Sequence, residues 1–297
     1  MLPPKRIALS GGGMKGISHI GALEVLKERG LLQRVKEYIG TSAGALISFA
    51  MCIGYTLSEM HTLCIALDFS LTQNIEPDNI FKCMETYGFD DGINTEKLLL
   101  VLLKAKGIPA SITFEELAKR LPEAPSLRVY AVKLQTYTIE EFSLEKTPRV
   151  EVKWAVRASM AIPIYFTPMK DISSNDFYVD GGLIAHFPFH HLTDEERAET
   201  LGIAFKRGEV GSDPTNLGQY LLRLYYSVYS HQNVQLLENW GHRIIEIDCG
   251  NFPSLHFGAE QDDKCALIES GAEATRKYIY KQKWLLRKAP ARRYSLP

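Results

Sequence analysis

The sequence RIALSGGGMKG, at residues 6–16, decides the fold together with YIGTSAG, at residues 38–44. The apolar runs Arg6–Ser10 and Val35–Ile39 each predict a short buried strand that ends in a glycine-rich turn. Met14–Arg29 predicts a helix, because it carries small residues for close packing and cations in its last turn. A strand, helix, strand and helix in this order predict two parallel strands whose carboxyl ends meet at one edge of a sheet.

The first glycine-rich turn predicts a site for an anion. Glycines allow positive φ and bring backbone N–H groups close to a ligand. The helix that follows adds a partial positive charge at its amino terminus. Such a turn suits a phosphate or the oxyanion of an acyl-transfer intermediate. Within it, Lys15 is interpreted as a solvated residue of the first helical turn rather than as a phosphate ligand.

The second turn has the pattern G-x-S-x-G, with Ser42 between Gly40 and Gly44. A sharp strand-to-helix turn exposes the serine hydroxyl at the edge of the sheet, and small neighbours leave room for a substrate. The pattern is weak by itself, because small residues are common at such turns. Since both turns end consecutive strands of one unit, we expect Ser42 to lie beside the anion-binding N–H groups, where a nucleophile is useful.

A serine nucleophile needs a base, and Val179–Gly182 supplies a candidate. Asp180 ends a short predicted strand, and the glycines that follow leave its carboxylate unobstructed. Asp180 is far from Ser42 along the chain, so only the fold can bring the two residues together.

Composition limits the class of protein. The chain has 297 residues, 45% hydrophobic and 23% charged, with a net charge of −1, which gives no general attraction for nucleic acid. Its five cysteines are scattered, which argues against a disulfide scaffold or a zinc site and favours a reducing compartment. We see neither the apolar core of a signal peptide nor the roughly 20 apolar residues of a membrane span. The expected location is cytoplasmic or peripheral to membranes.

The remaining chain predicts further elements and one domain. They are a helix at Ala43–Ile53, strands at Leu127–Leu134 and Thr138–Leu144, a helix at Glu151–Met160, strands at Ile164–Met169, Phe177–Val179, Thr200–Phe205 and Arg243–Asp248, a helical pattern at Leu217, Leu221, Leu224 and Val228, and a final helix at Asp262–Leu286. We predict a single domain over residues 1–297. It has a motif-bearing core at about 6–190, late strands and a docked helix at 200–286, and a frayed tail at 287–297.

The motifs G-G-G-x-[K/R]-G, G-x-S-x-G and D-G-G, in this order, resemble the patatin-like phospholipase family. Ala158–Pro163 matches that family's A-S-x-A-x-P segment, and the resemblance runs from Arg6 to about Pro188. It implies a three-layer α/β/α fold with a mainly parallel central sheet. It also implies a lipid acyl hydrolase with a Ser-Asp dyad and no catalytic histidine.

The resemblance also implies roles for individual residues. Ser42 would be the nucleophile and Asp180 its base. The expected oxyanion-hole residues carry backbone N–H groups at the first turn: Gly11, Gly12, Gly13 and Met14. Other motif residues would support the site: Lys15, Gly16, Gly40, Gly44, Ser159, Gly181 and Gly182. No metal and no cofactor are implied, and the expected partner is a lipid at a membrane or micelle surface, touched only peripherally.

One segment departs from the family pattern. Many members continue D-G-G into an Asn-x-Pro turn, whereas this chain has His186-Phe187-Pro188. That asparagine is thought to help hold the aspartate loop, so we expect a different support here, with His186 near the site.

Three alternatives remain open at this point. The glycine turn fits a dinucleotide fingerprint, but that motif expects an acid at the end of the second strand, where this chain has Gly40-Thr41-Ser42. An α/β-hydrolase would use Ser42 with a late histidine such as His256, but its nucleophile follows several strands. The third alternative is a non-catalytic lipid-binding or interaction protein on the same fold.

Two expectations concern the chemistry and the pocket. An aspartate is a weak base for serine, so a partly desolvated site with a raised Asp180 pKa is expected. Residues 58–126 are expected to shape the acyl pocket or a lid. The phospholipid head group, the position of the cleaved ester and the oligomeric state do not follow from the sequence.

Overall fold

The computed structural model describes residues 3–75, 83–206, 220, 224 and 233–288, with the side chains of 233–235 and 283–288 left aside. The helix predicted from Leu217, Leu221, Leu224 and Val228 therefore lies outside the described residues, apart from Leu224. The predicted tail also lies outside them beyond residue 288.

The described strands are β1 Arg6–Leu9, β2 Glu37–Gly40, β3 Gly88–Asp90, β4 Ser126–Lys133, β5 Thr138–Ser143, β6 Ile164–Phe166, β7 Met169–Lys170, β8 Phe177–Asp180, β9 Thr200–Phe205 and β10 Ile244–Ile247. The described α-helices are α1 Ser18–Glu28, α2 Ala43–Cys52, α3 Leu57–Ala66, α4 Ile93–Ala105, α5 Phe114–Arg120, α6 Val152–Ser159, α7 Gly182–Ala185, α8 Asp194–Glu199, α9 Asn233–Trp240 and α10 Gln261–Lys288. Short 3₁₀ turns lie at Gly13–Ile17, Phe69–Thr72, Pro188–His191 and Gly241–Arg243.

The central sheet is mainly parallel, as predicted. Strands β10, β9, β1, β2 and β4 lie side by side in that order and are all parallel. Beyond them β5 and β8 pair with β4 in antiparallel fashion, and β7 pairs with β8. Strands β3 and β6 form a separate parallel pair. The predicted crossover from β1 to β2 is confirmed, so their two glycine-rich turns leave the same edge of the sheet.

The register around β4 determines where the candidate site lies. Strand β5 pairs with β4 over Arg128–Lys133, whereas β2 pairs over Ser126–Val129 and β8 over Ala131–Lys133. A strand has only two edges, and β5 occupies one of them. Strands β2 and β8 must therefore share the other edge, end to end, with Tyr130 at the break between them. The carboxyl ends of β2 and β8 face each other across this break.

The two faces of the sheet carry unequal layers. In β1, Ile7 and Leu9 face a large core that includes side chains of α1 to α6 and α10, whereas Ala8 faces a smaller core. That smaller core contains Phe187 and Phe189 and side chains of α7 and α9. This alternation is the period-two pattern of a strand buried on both faces. The predicted three-layer α/β/α arrangement is confirmed.

Helix α10 docks on α1 through glycines. A Cβ added at Gly271 would lie 1.8 Å from the carbonyl oxygen of Ser18, and one added at Gly21 would lie 1.9 Å from that of Ile268. The two helix backbones therefore pass closer than any side chain at these points would allow. Two apolar stripes of α10, which include Leu267 and Ile268, face this contact and are mainly buried.

Helix starts are encoded locally. Helix α5 begins with a capping box: the side chain of Thr113 accepts the Glu116 N–H, and the Glu116 carboxylate accepts the Thr113 N–H. Helices α3 and α8 begin with the same device. Among the described residues, no helix combines the length and the apolar character that crossing a membrane requires.

Candidate active site

Ser42 occupies a strained turn between β2 and α2. Its φ of 55° and ψ of −124° lie in a region that non-glycine residues rarely adopt, and its side chain is buried. The turn is tight enough to need its flanking glycines. A Cβ at Gly40 would lie 2.3 Å from the carbonyl oxygen of Gly44, and a Cβ at Gly44 would lie 2.3 Å from that of Leu9. This is the geometry of a nucleophile elbow, which holds the serine at the sheet edge.

Ser159 fixes the backbone of this turn. Its hydroxyl accepts a hydrogen bond from the Ser42 N–H at 2.9 Å and donates one to the Tyr130 carbonyl at 2.6 Å. All three groups are buried, and Tyr130 is the residue at the break between β2 and β8. Ser159 therefore ties the Ser42 turn to β4, whose residue Tyr130 lies between this turn and Asp180.

The four glycine-turn residues divide into two pairs. The Gly11 N–H donates to the His186 carbonyl at 2.8 Å, and the Met14 N–H donates to the Ser254 carbonyl at 2.8 Å. In the described part of the chain, the N–H groups of Gly12 and Gly13 have no acceptor. The engaged pair holds the turn in place, and the other pair remains available to an oxyanion.

The glycine turn packs directly against the Ser42 turn. A Cβ at Gly11 would lie 3.3 Å from the Cβ of Ser42, and one at Gly16 would lie 2.6 Å from the Cβ of Ala43. On its other side the turn is enclosed, because a Cβ at Gly12 would lie 2.3 Å from the ring of Phe205. The motif glycines are thus required by close approach. Lys15 beside them is half-buried.

Asp180 ends β8 and is completely buried. Its N–H donates to the Ala161 carbonyl at 2.8 Å, and its Oδ1 accepts the Gly182 N–H at 2.6 Å. The A-S-x-A-x-P segment therefore supports Asp180 as well as Ser42, since it contains both Ala161 and Ser159.

The D-G-G turn also contacts the Ser42 turn. A Cβ at Gly181 would lie 2.3 Å from the Tyr130 carbonyl oxygen and 3.0 Å from the Thr41 side chain. The Thr41 hydroxyl donates to the Ala185 carbonyl at 2.9 Å. Three predicted motifs, far apart in sequence, thus converge at the break in the edge of β4.

His186 lies inside this cluster. A Cβ at Gly11 would lie 3.1 Å from atoms of its ring, and its carbonyl accepts the Gly11 N–H. Burial is the main cause that lowers the pKa of His186 to about 3, with smaller contributions from His19 and Lys15. The ring is therefore neutral at ordinary pH. Where many relatives have asparagine, a neutral histidine packs against the glycine turn.

The sequence that forms this arrangement matches the sequence model of one protein family. The patatin-like phospholipase model covers residues 7–193, which include all three motifs. The chain belongs to the patatin-like phospholipase family. Its fold also matches the solved structures of VipD from Legionella pneumophila, with a TM-score of 0.58 at 18% identity over 94% of this chain and 67% of that one. Human GIVD cytosolic phospholipase A2 matches with a TM-score of 0.51 at 11% identity, over 96% of this chain and 60% of that one.

Sequence relatives agree with the family. The chain is 33% identical to the probable lipid hydrolase 463L of Invertebrate iridescent virus 6, over 66% of this chain and 67% of the relative. It is 29% identical to the uncharacterized protein YqhO of Bacillus subtilis (strain 168), over 91% of this chain and 96% of the relative. Membership of the patatin-like family supports lipid hydrolysis and argues against the dinucleotide and α/β-hydrolase alternatives.

Two buried side chains of this patatin-like site escaped the sequence analysis. The first is His19 in α1, whose Nε2 lies 3.0 Å from the Ser10 carbonyl and whose ring lies 4.8 Å from that of Phe205. Burial lowers the pKa of His19 to about 4. A neutral His19 with its proton on Nε2 therefore donates to the residue that precedes the glycine turn. Its place in the small-residue half of the predicted helix was the only available signal.

The second is Arg157, which is 1% exposed. Its Nη2 donates to the Asp91 carbonyl at 3.2 Å, and its guanidinium lies 4.9 Å from the ring centre of Phe166. Burial lowers the pKa of Arg157 to about 10, against the opposing effect of nearby carboxylates that include Asp90 and Asp180. Arg157 stays protonated, so a buried cation acts on Asp180.

Neither the described cavity nor the distribution of metal-ligating side chains adds to this site. A cavity of about 440 Å³ lies at the opposite, amino-terminal edge of the sheet, lined by residues such as Val35, Leu117 and Leu127. It touches none of the motif residues, so it is not the acyl pocket of this site. Among the described residues, no three His, Cys, Asp or Glu side chains are grouped to hold a metal ion.

Proposed function

We propose that this chain is a serine carboxylic-ester hydrolase that cleaves acyl esters of lipids through a Ser42-Asp180 dyad. One observation carries the proposal: the strained Ser42 turn, the glycine turn with its available N–H groups and the buried Asp180 converge on the break beside Tyr130. The substrate class is a phospholipid, a lysophospholipid or a neutral glyceride, as family membership suggests.

The reaction follows from the roles of these groups. Asp180 accepts the proton of the Ser42 hydroxyl while Ser42 Oγ attacks the ester carbonyl. The N–H groups of Gly12 and Gly13 stabilise the resulting oxyanion. The C–O bond to the alcohol then breaks, the alcohol takes the proton from Asp180, and an acyl-enzyme remains. Water, deprotonated by Asp180, hydrolyses the acyl-enzyme to a fatty acid and free Ser42.

We assign fewer residues to the oxyanion hole than the motif suggests. Gly11 and Met14 already donate to carbonyl oxygens, so we assign them to holding the turn. Gly12 and Gly13 are assigned to the oxyanion. The Arg157 charge acting on Asp180 favours the ionised carboxylate, which opposes the raised Asp180 pKa that the sequence analysis expects.

A histidine base is less well supported. His256 is exposed. His186 lies closer, but its lowered pKa makes it a poor proton acceptor. Asp180 is therefore the favoured base.

A fluorophosphonate probe tests the nucleophile. We expect labelling of the wild type and its loss in Ser42→Ala, with hydrolysis of p-nitrophenyl butyrate falling at least about a hundredfold. Ser270→Ala, on the exposed face of α10, is the matched control and should keep both signals.

An unlabelled wild type with an intact circular dichroism spectrum and an ordinary melting transition would contradict the proposal. If that protein still bound lipid vesicles, the non-catalytic alternative would replace it.

Asp180→Asn tests the base. Asparagine keeps an oxygen that can accept the Gly182 N–H, so the turn should hold while proton transfer is lost. We expect kcat to fall at least about a hundredfold, with a melting temperature close to that of the wild type.

Retention of activity would transfer the role to His186. In that case His186→Asn, which installs the residue common in the family, would abolish turnover. If Asp180 is the base, His186→Asn should instead keep most of it.

A further inference from the structure

Two hairpin turns project beyond the carboxyl edge of the parallel sheet. Strand β2 ends opposite Val129, but β4 continues to Lys133 before the turn at residues 134–137. Strand β8 runs alongside this extension, so its first residue, Phe177, lies about 10 Å farther out than Asp180. The β7–β8 turn at residues 171–176 lies at the same outer end.

The two turns form one unit. The Leu134 N–H donates to the Phe177 carbonyl at 2.9 Å, and the Phe177 N–H donates to Oε1 of Gln135 at 2.8 Å. Both backbone groups of Phe177 thus bind the β4–β5 turn. Residues 134–137 and 171–176 are therefore held side by side.

Each turn presents a large apolar side chain to solvent. Tyr137 is 84% exposed and has a φ of 57°, and Ile172 is 97% exposed. Tyr87, 60% exposed with a φ of 63°, packs its ring edge-on against Phe177 at 6.1 Å. We call Tyr87, Tyr137 and Ile172 the apolar tip. Positive φ is costly for aromatic residues, so the backbone holds two of these side chains outward at an energetic cost.

The Ile172 turn is well ordered by hydrogen bonds. Oδ1 of Asp171 accepts both the N–H and the hydroxyl of Ser173, and the Asp171 N–H donates to the Asp176 carbonyl at 2.9 Å. The exposure of Ile172 is therefore built into the turn and does not come from a loose chain.

Charges around the apolar tip nearly balance. Lys133 pairs with Asp176 at 2.6 Å, and Lys170 lies over the ring of Phe177 at 5.4 Å. Asp171 and Glu140 are two further described carboxylates, and both act on the neighbouring Tyr178. These described groups, two cations and three carboxylates, give no net attraction for an anionic surface, so an apolar, zwitterionic surface is the best match.

We propose that the apolar tip is an interfacial docking element that enters a phosphatidylcholine surface beside the candidate active site. This rests on the proposed function, because a lipid hydrolase must reach substrate packed in an aggregate. Exposed aromatic and aliphatic side chains at the ends of rigid turns gain by entering the boundary between head groups and acyl chains. The apolar tip lies beyond the carboxyl edge of the parallel sheet, the edge at which Ser42 and Asp180 lie. Docking would therefore bring the candidate site to the lipid.

Vesicle flotation with Ser42→Ala protein tests docking without turnover. Against phosphatidylcholine vesicles, adding Tyr137→Ser and Ile172→Ser should lower the partition coefficient at least about tenfold. The control adds Leu63→Ser and Val101→Ser, which remove apolar side chains that are 44% and 61% exposed on α3 and α4. Control binding should equal that of the parent. Equal binding by the tip variant would overturn the proposal, as would binding that requires added phosphatidylserine.

Kinetics separate this proposal from the function on which it rests. With Ser42 intact, the tip variant should hydrolyse dispersed p-nitrophenyl butyrate at the parental rate but phosphatidylcholine vesicles at least about fivefold more slowly. If the parent hydrolyses neither substrate, the proposed function fails, while flotation still decides the docking proposal. Sedimentation velocity covers the remaining occupant: a parent dimer that the tip variant dissociates, without vesicle binding, would assign the tip to a second copy of the chain.

Discussion

At the scale of single residues, Ser159 connects the two halves of the proposed dyad. Its hydroxyl is the acceptor for the Ser42 N–H and the donor to the Tyr130 carbonyl. Two residues farther on, Ala161 accepts the Asp180 N–H. One short segment therefore positions the strained Ser42 turn and the buried Asp180 carboxylate, although it contains neither.

Ser159→Ala should impair both activity and stability. The Ser42 N–H and the Tyr130 carbonyl would lose their partner in a buried place, which costs about 1–3 kcal/mol of unfolding free energy. A turn that is less firmly held should lower kcat by about tenfold or more, with a smaller effect on KM. Denaturant melts and steady-state kinetics measure the two effects.

Ser270→Ala is the comparison, because the Ser270 hydroxyl bonds to the Ala266 carbonyl on the exposed side of α10. Equal kcat in Ser159→Ala and the wild type would remove Ser159 from the positioning role.

At this scale, the residues that the sequence predicts are those that lie within short motifs. Ser42 and Asp180 stand in short patterns that gain a chemical meaning from their order and from the predicted strands that they end. His19 and Arg157 stand in none, and their roles depend on burial and on partners elsewhere in the chain. The division of the glycine turn into held and available N–H groups depends on His186 and Ser254, which no local pattern links to it.

At the scale of elements, most of the described strands and fewer than half of the described helices follow from local patterns. The pattern of the final helix, for example, predicted α10 closely, with bounds of Asp262–Leu286 against the observed Gln261–Lys288. The sequence did not reveal that residues 13–17 would form a separate 3₁₀ turn ahead of α1, because the contacts of Met14 and Gly16 shape that turn. It also left open the shared edge of β4, since strand register is set by tertiary packing.

The crossing of α1 and α10 gives a prediction about elements. Gly271→Ala should destabilise the protein by about 1–3 kcal/mol, because its methyl group would meet the Ser18 carbonyl of a backbone that cannot give way. Thermal melts should show the loss, whereas dyad activity at low temperature should change little.

Gly258→Ala is the matched control, since no atom lies within 4 Å of the position its Cβ would take. A Gly271→Ala protein as stable as Gly258→Ala would mean that the two helices can separate without cost.

At the scale of the whole molecule, two buried histidines link stability to pH. The folded-state pKa values of His19 and His186 are lowered to about 4 and about 3, below the ordinary value of 6.5. Below pH 6.5 the unfolded chain therefore binds protons that the folded chain does not. The stability gained from neutral histidines is complete above this pH and is lost as the pH falls toward 4.

We expect the unfolding free energy to fall between pH 6.5 and pH 4 with a slope on the order of 1 kcal/mol per pH unit for each histidine. Urea titrations at several pH values measure this slope. His19→Gln, which keeps an N–H donor for Ser10, should show a shallower slope than the wild type.

The exposed His256 provides the reference, and His256→Gln should retain the wild-type slope. A slope that His19→Gln leaves unchanged would mean that other groups govern acid unfolding.

The end-to-end arrangement of β2 and β8 has a consequence for how this molecule can vary. Both strands pair with β4, and this pairing fixes the positions of Ser42 and Asp180. The number of residues between them in the chain therefore does not affect the geometry of the site. Even the turn at Gly107, where nothing lies within 4 Å of an added Cβ, could accept an entire accessory domain as a spacer. Because β4 positions both residues of the proposed dyad, the chain segment between them is free to lengthen without moving either one.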